Sequence, residues 1–219
     1  MRRTLTSLAS VGALAGLLVV LGACGDDGPA AAVAPTVVGV ETQRCRQPNR
    51  FRAVGTVVGD DADGVLVATA GHAVEGDLRE LRVDGRPAAV VALDRRSDLA
   101  LLRIDGAAGG VTTPAELATA IPATARLVTH GGEAAVTIDR HVTFVVEHVS
   151  DGATYRRDTV VIGTPVEPGT SGAPLLDAAG RLVAIVFATE GGETFAVTFN
   201  EVAALLGERD AHRPDGRPC

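Results

Sequence analysis

A chain of 219 residues with 46% hydrophobic but only 3% aromatic residues can hold one domain with a sizeable core, or two small lobes sharing an interface. That core has to be built from Val, Ala, Leu and Ile. The formal charge is −7, every basic residue is Arg, and no basic stripe stands out, which excludes a general nucleic-acid footprint.

The chain opens on Met1-Arg2-Arg3 followed by an apolar run from Leu8 to Leu21. A charged start before a short apolar run predicts an export signal over residues 1–23, too short for a good membrane span. Loss of Arg2 and Arg3 with that segment leaves a charge of −9. The run ends in Leu21-Gly-Ala-Cys24, which resembles the lipobox of bacterial lipoproteins. That reading makes Cys24 the acylated amino terminus and the protein a lipid-anchored, extracytoplasmic component of the cell envelope. A plain secretory signal cleaved nearby is the alternative. Residues 24–36 lack periodicity and are expected to form a flexible tether. In an oxidising compartment a disulfide between Cys45 and Cys219 is the economical assignment, with two free thiols or a bridge to another chain as alternatives. Closing so long a loop would contribute ~4–5 kcal/mol on chain-entropy grounds.

From Val37 onward short β-branched runs predict strands at Val37–Val40, Ala53–Val58, Val65–Thr69, Leu81–Val83, Ala88–Leu93 and Leu99–Ile104. Turn-rich pieces such as Asp84-Gly-Arg-Pro87 separate them. Six strands suffice for one small barrel, about 37–108. A Gly/Ala/Pro-rich crossing from Asp105 to Ala123 leads into a second series, about 120–200. Its strands are predicted at Ala125–Thr129, Ala134–Asp139, His141–Val149, Thr159–Ile162, Ala173–Leu176, Leu182–Ala188 and Thr194–Thr198. A helix over about 200–207 closes the pattern, with Asn200 as its expected N-cap, Glu201 in its first turn and Gly207 as its stop.

Three segments carry chemistry. In Val67-Ala-Thr-Ala-Gly-His72 an apolar strand runs into a small-residue turn that presents one His. In Asp94-Arg-Arg-Ser-Asp98-Leu an acid stands at the mouth of an apolar strand. In Glu167-Pro-Gly169-Thr-Ser171-Gly-Ala-Pro174 a Ser is bracketed by glycines before another strand. Acyl transfer from an amide needs a nucleophile, a base and donors for the developing oxyanion. Ser171 can attack, His72 can take and return its proton, and Asp98 can fix the imidazole tautomer. The N–H groups of Gly169 and Ser171 can receive the oxyanion. His130, His141, His148 and His212 show no metal-ligand spacing, so no metal or cofactor is expected.

These segments resemble the His, Asp and Ser boxes of chymotrypsin-like peptidases, in that family's chain order, and especially its bacterial trypsin-like and HtrA-type branch. Arg44-Cys45-Arg-Gln, Gly169-Thr-Ser-Gly-Ala-Pro-Leu-Leu-Asp, Leu182-Val-Ala-Ile-Val-Phe187 and Val202-Ala-Ala-Leu-Leu resemble the actinobacterial periplasmic acid-resistance proteases. The resemblance covers about residues 37–219. It implies an all-β fold of two six-stranded antiparallel β-barrels with a short C-terminal helix, and a serine endopeptidase acting on protein or peptide substrates. It also implies a primary pocket with Pro165, six residues before the nucleophile, at its floor and Phe187, Ala188 and Thr189 as walls. With no acid at the floor, small or medium apolar residues are the expected preference over Arg or Lys. The sequence departs from the family at Ala173, where most relatives carry Gly, and at Thr170, where zymogen-type enzymes carry Asp. An α/β-hydrolase elbow at Ser171 is disfavoured, since that fold needs a helix after the Ser and Pro174 stands there instead. A catalytically inactive binding lipoprotein of the same fold is the alternative function.

Overall fold

The computed structural model describes residues 37–106, 113–147, 152–212 and 214. The expected leader, the tether, Cys24 and Cys219 lie outside them, and so does the Cys45–Cys219 pairing.

The first lobe is built from β1 (Val37–Arg44), β2 (Arg50–Asp60), β3 (Gly64–Ala70), the one-turn helix α1 (Gly71–Val74), β4 (Leu78–Val83), β5 (Arg86–Pro87), β6 (Ala89–Asp94) and β7 (Leu99–Asp105). All pair antiparallel in one sheet of order β5-β4-β1-β2-β3-β7-β6. The second lobe comprises β8 (Thr124–Thr129), β9 (Gly132–Glu147), β10 (Thr154–Ile162), β11 (Pro174–Leu176), β12 (Leu182–Glu190) and β13 (Glu193–Thr198), followed by helix α2 (Phe199–Gly207). Its strands close as a barrel in the order β10-β13-β12-β11-β8-β9. The expected class, all-β with two antiparallel barrels and a short C-terminal helix, is the class observed; the second lobe is the closed six-stranded barrel, and the first is a curled sheet of seven strands where six were expected.

Continuous apolar runs in β3 and β7 follow from the period of a strand, which sends successive side chains to opposite faces. Val65 and Val67 of β3, with Ala100, Leu102 and Ile104 of β7, fill the first lobe's own core. Leu66 and Ala68, with Leu99 and Leu101, face the other way, into a cluster shared with Leu182, Ile185, Phe187 and Val197 of the second lobe and Val202 and Leu205 of α2. Both faces of these strands are covered, so neither shows the polar alternation of a half-exposed strand. The two lobes share a core where they meet.

Three details correct the sequence reading. The strands expected at Ala134–Asp139 and His141–Val149 are one, β9. Its apparent break is a register shift: Arg140 pairs with Val161 and Ile138 with Ile162, so Asp139 is left without a cross-strand partner in that ladder. Such a bulge bends the strand, and β9 pairs with β8 on one side and β10 on the other. The expected turn at Asp84–Pro87 contains the edge strand β5, where Pro87 is tolerated because an edge asks less of its missing N–H. The helix cap is Thr198, not Asn200. The Thr198 hydroxyl donates to Asp158 Oδ2 at 2.7 Å, and Asn200 lies in the first turn with its amide donating to the same oxygen at 3.2 Å. Glu201 does occupy the first turn, and it accepts the Asp158 N–H.

Candidate active site

His72 sits in α1, where the fully buried β3 ends. Its presentation depends on the turn before β7. Asp94 ties that turn: its carboxylate accepts the Arg96 N–H at 3.0 Å, the Ser97 N–H at 3.3 Å and the Ser97 hydroxyl at 2.7 Å. An Asx-type turn of this sort lets a short acidic side chain replace backbone pairing. Asp98 follows in the left-handed region at φ 58°, a conformation that Asp tolerates better than most residues. Its carbonyl accepts the Gly71 N–H at 2.7 Å, and its Oδ1 accepts the His72 N–H at 2.7 Å. Backbone and side chain of Asp98 therefore both hold α1 in place.

His72 Nδ1 lies 2.8 Å from the remaining carboxylate oxygen, Asp98 Oδ2. An ionised carboxylate only accepts, so Nδ1 carries the proton and Nε2 presents a lone pair. Nε2 faces Ser171 Oγ at 3.1 Å. The hydrogen bond to Asp98 raises the His72 pKa above the ordinary imidazole value, against burial and the positive charges of Arg157 and Arg44. The Arg44 guanidinium donates to the His72 carbonyl at 2.8 Å and to the Glu75 carbonyl at 3.2 Å, closing the far side of α1.

Ser171 arrives from the second lobe on the loop between β10 and β11. That loop is held from both lobes: the Val54 N–H of β2 donates across the cleft to the Ser171 carbonyl at 2.8 Å, and the Gly172 N–H donates within the second lobe to Val186 O of β12 at 2.7 Å. The Thr69 hydroxyl donates to Val54 O at 2.6 Å and packs beside the loop. Gly172 has φ +90°, and a Cβ there would fall 1.8 Å from Val54 O and 2.5 Å from Thr69 Oγ1. Only glycine lets the backbone approach so closely in that conformation. Gly169 is also at positive φ, +91°. Among the described residues, the Gly169 and Ser171 N–H groups donate no backbone hydrogen bond, whereas Thr170, Gly172 and Ala173 all do.

Pro165 and Gly169 line a cavity of about 920 Å³ together with Ala53 and Val54 of β2 and Leu127 and Ala134 of the β8–β9 hairpin. Phe187, Ala188 and Thr189 lie on β12, outside that cavity. The Phe187 ring is buried against Phe144 and Phe195, with centroids 6.3 and 6.4 Å away, so its side chain serves the shared core.

The structure thus brings His72, Asp98 and Ser171 within hydrogen-bond reach of one another in sequence, and places the Gly169 and Ser171 amides on the same loop. Sequence reasoning missed Asp94, Thr69, Arg44 and Arg157. Arg157 lies in β10 on the inward phase shared with Thr159 and Val161, all buried. That alternation was the available signal for an interior Arg.

Residues 53–185 match the trypsin-like peptidase domain family. The fold is similar to that of the Rv3671c protease from M. tuberculosis in its active form, at 26% identity and a TM-score of 0.68, over 86% of this chain and 87% of that one. An inactive form of the same protease gives 26% identity and a TM-score of 0.63, over 81% and 90%. The HtrA-type protease AlgW, solved with a tripeptide, shares the fold alone at 23% identity and a TM-score of 0.57, over 81% of this chain and 60% of that one. An uncharacterized protein of Sinorhizobium fredii, y4bJ, is 31% identical over an alignment of 134 positions that covers 55% of this chain and 20% of that protein. The chain therefore spans about a fifth of the length of that curated relative.

Proposed function

Because this chain belongs to the trypsin-like peptidase domain family, we propose that it is a serine endopeptidase whose nucleophile is Ser171, with His72 as general base and acid and Asp98 orienting it. The observation that carries this reading is the unbroken run of contacts from Asp98 Oδ2 through the His72 ring to Ser171 Oγ, at 2.8 and 3.1 Å. Ser171 Oγ attacks the scissile carbonyl while its proton passes to His72 Nε2. Asp98 holds the Nδ1 proton in place and stabilises the imidazolium that forms. The Gly169 and Ser171 amides receive the negative charge on the carbonyl oxygen, a role supported by their freedom from backbone partners among the described residues. The imidazolium then protonates the leaving amine. Water, deprotonated by the same His72, releases the acyl group from Ser171 and restores the hydroxyl.

For the primary pocket we propose Pro165 at the floor and Ala188, Thr189 and the Phe187 backbone at the wall, accepting small or medium apolar residues. A peptide-library profile with cleavage mainly after Arg or Lys would refute that preference. The amino-terminal proposal is a lipid on Cys24, residues 24–36 as a tether and an envelope location, with the Cys45–Cys219 bridge formed there. Intact mass spectrometry of the mature protein, before and after reduction, tests both modifications.

The catalytic reading is tested by hydrolysis of an unfolded protein substrate by the native enzyme and by Ser171→Ala. Turnover is expected to fall by ~10⁴-fold or more in the variant. Equal rates in the two proteins would sink the assignment, and a native protein that binds peptides without cleaving them would be the inactive binding form.

A further inference from the structure

Arg157 is the most enclosed cation among the described residues, its side chain only 4% exposed. Burying a guanidinium is costly unless its donors are used and its charge is compensated. Here Nε donates to Arg96 O at 2.7 Å and Nη2 to Arg95 O at 3.2 Å. Both carbonyls belong to the turn that Asp94 ties and that ends at Asp98. The guanidinium carbon stands 5.0 Å over the Phe187 ring, which fixes the remaining face. The third nitrogen, Nη1, faces Asp98 Oδ2 at 3.8 Å, the same oxygen that accepts the His72 Nδ1–H hydrogen bond.

We infer that Arg157 is a positioning residue, reaching from the second lobe to clamp the turn that carries Asp98 and to set a positive charge behind the carboxylate on which His72 leans. The second lobe then supplies both ends of the constellation, the hydroxyl in front of the imidazole and the cation behind the acid. Any donor could cap two carbonyls; a charge aimed at the acid does more. It opposes the hold of Asp98 on the imidazolium proton, so that His72 is available as a base at lower pH than the Asp98 contact alone would allow. Arg157 indeed acts on the His72 pKa in the lowering direction. The charged groups facing His72 are Asp98, Arg157 and Arg44, and those facing Arg157 are Asp98, Asp94 and Glu201. Arg95 and Arg96 turn their own charges to Glu75 and Asp94.

This inference rests on the proposed catalytic reading, yet its test reads out whether or not the protein cleaves peptides. The His72 ring is titrated by NMR in a Ser171→Ala background with Arg157 retained, with Arg157→Gln and with Arg157→Lys. In the Ser171-containing proteins kcat/KM is followed against pH. Arg157→Gln is expected to move the His72 titration upward, since the Asp98 contact persists without the opposing charge, to carry the acidic limb of kcat/KM with it, and to lower kcat/KM by roughly 10- to 100-fold through a slackened turn. Arg157→Lys keeps the charge and loses the fork, so its His72 titration stays near the parent's while kcat falls. A lowered melting temperature with an unmoved His72 titration in Arg157→Gln would mean a structural tie only and overturns the inference. Should Arg157→Gln fail to fold, an upward shift in Arg157→Lys, whose charge is intact, overturns it equally.

Discussion

His72 is held between opposing influences, and their sum sets the pH range in which the proposed chemistry runs. The bond to Asp98 raises its proton affinity, while burial, Arg157 and Arg44 lower it, and the net shift is upward. A general base works only when neutral, so activity is lost as pH falls through the raised value. The acidic limb of kcat/KM is therefore expected above the pKa of a free imidazole. Asp98→Asn removes the largest raising influence and the tautomer's anchor together. Its His72 titration should move down, and turnover should fall by about 10⁴-fold; a limb that stays in place would show that Asp98 does not govern the ring. The three central residues were legible because each lies at the edge of an apolar strand beside small residues, a pattern that chain order reinforces. Arg157 and Asp94 were not, because their partners are backbone carbonyls and amides in a turn that sequence does not draw.

The loop carrying Ser171 and the helix α2 show how elements position the site. Gly172→Ala would set a methyl group into Val54 O and Thr69 Oγ1 at an unfavourable φ. The variant should lose at least ~1–3 kcal/mol of stability, and cleavage with it, since the loop must retreat from β2. Thermal melting and turnover measured together check this; an unchanged melting temperature would place the loop elsewhere. Asp158 sits where β10 meets α2: burial raises its pKa, but hydrogen bonds from Thr198, Asn200 and His141 prevail and hold it below the ordinary carboxylate value. Thr198→Val removes one of these donors and is expected to destabilise the protein by about 1–2 kcal/mol in chemical denaturation. Sequence placed α2 well and its cap badly, because Asn200 and Thr198 are both good capping types only two residues apart, and both side chains donate to Asp158. The break at Asp139-Arg140 failed similarly, since a charged pair marks a turn and a bulge alike.

Across the whole molecule, the interface between the lobes is part of the core and not a later addition. Leu99, Leu101 and Leu182 are fully buried there, and Phe187 carries both that packing and the support of Arg157. Phe187→Ala should cost roughly 3–5 kcal/mol of stability; a loss well below that range would mean that the lobes do not fold around a common core. The two β-rich halves and the terminal helix could be read from runs of Val, Leu and Ile separated by Gly, Pro and Asp. Which strands close the second barrel, and that β3 and β7 serve two cores at once, could not, because strand alternation tells which residues share a face but not what covers it. The central claim is that the first lobe's His72 and Asp98 activate the second lobe's Ser171. A fluorophosphonate probe tests it most directly, with the labelled residue mapped by peptide mass spectrometry in the native protein, Ser171→Ala and His72→Ala. Stoichiometric labelling at Ser171 in the native protein, abolished in Ser171→Ala and slowed in His72→Ala, is the predicted result; labelling at another residue, or none in the folded native protein, would contradict it.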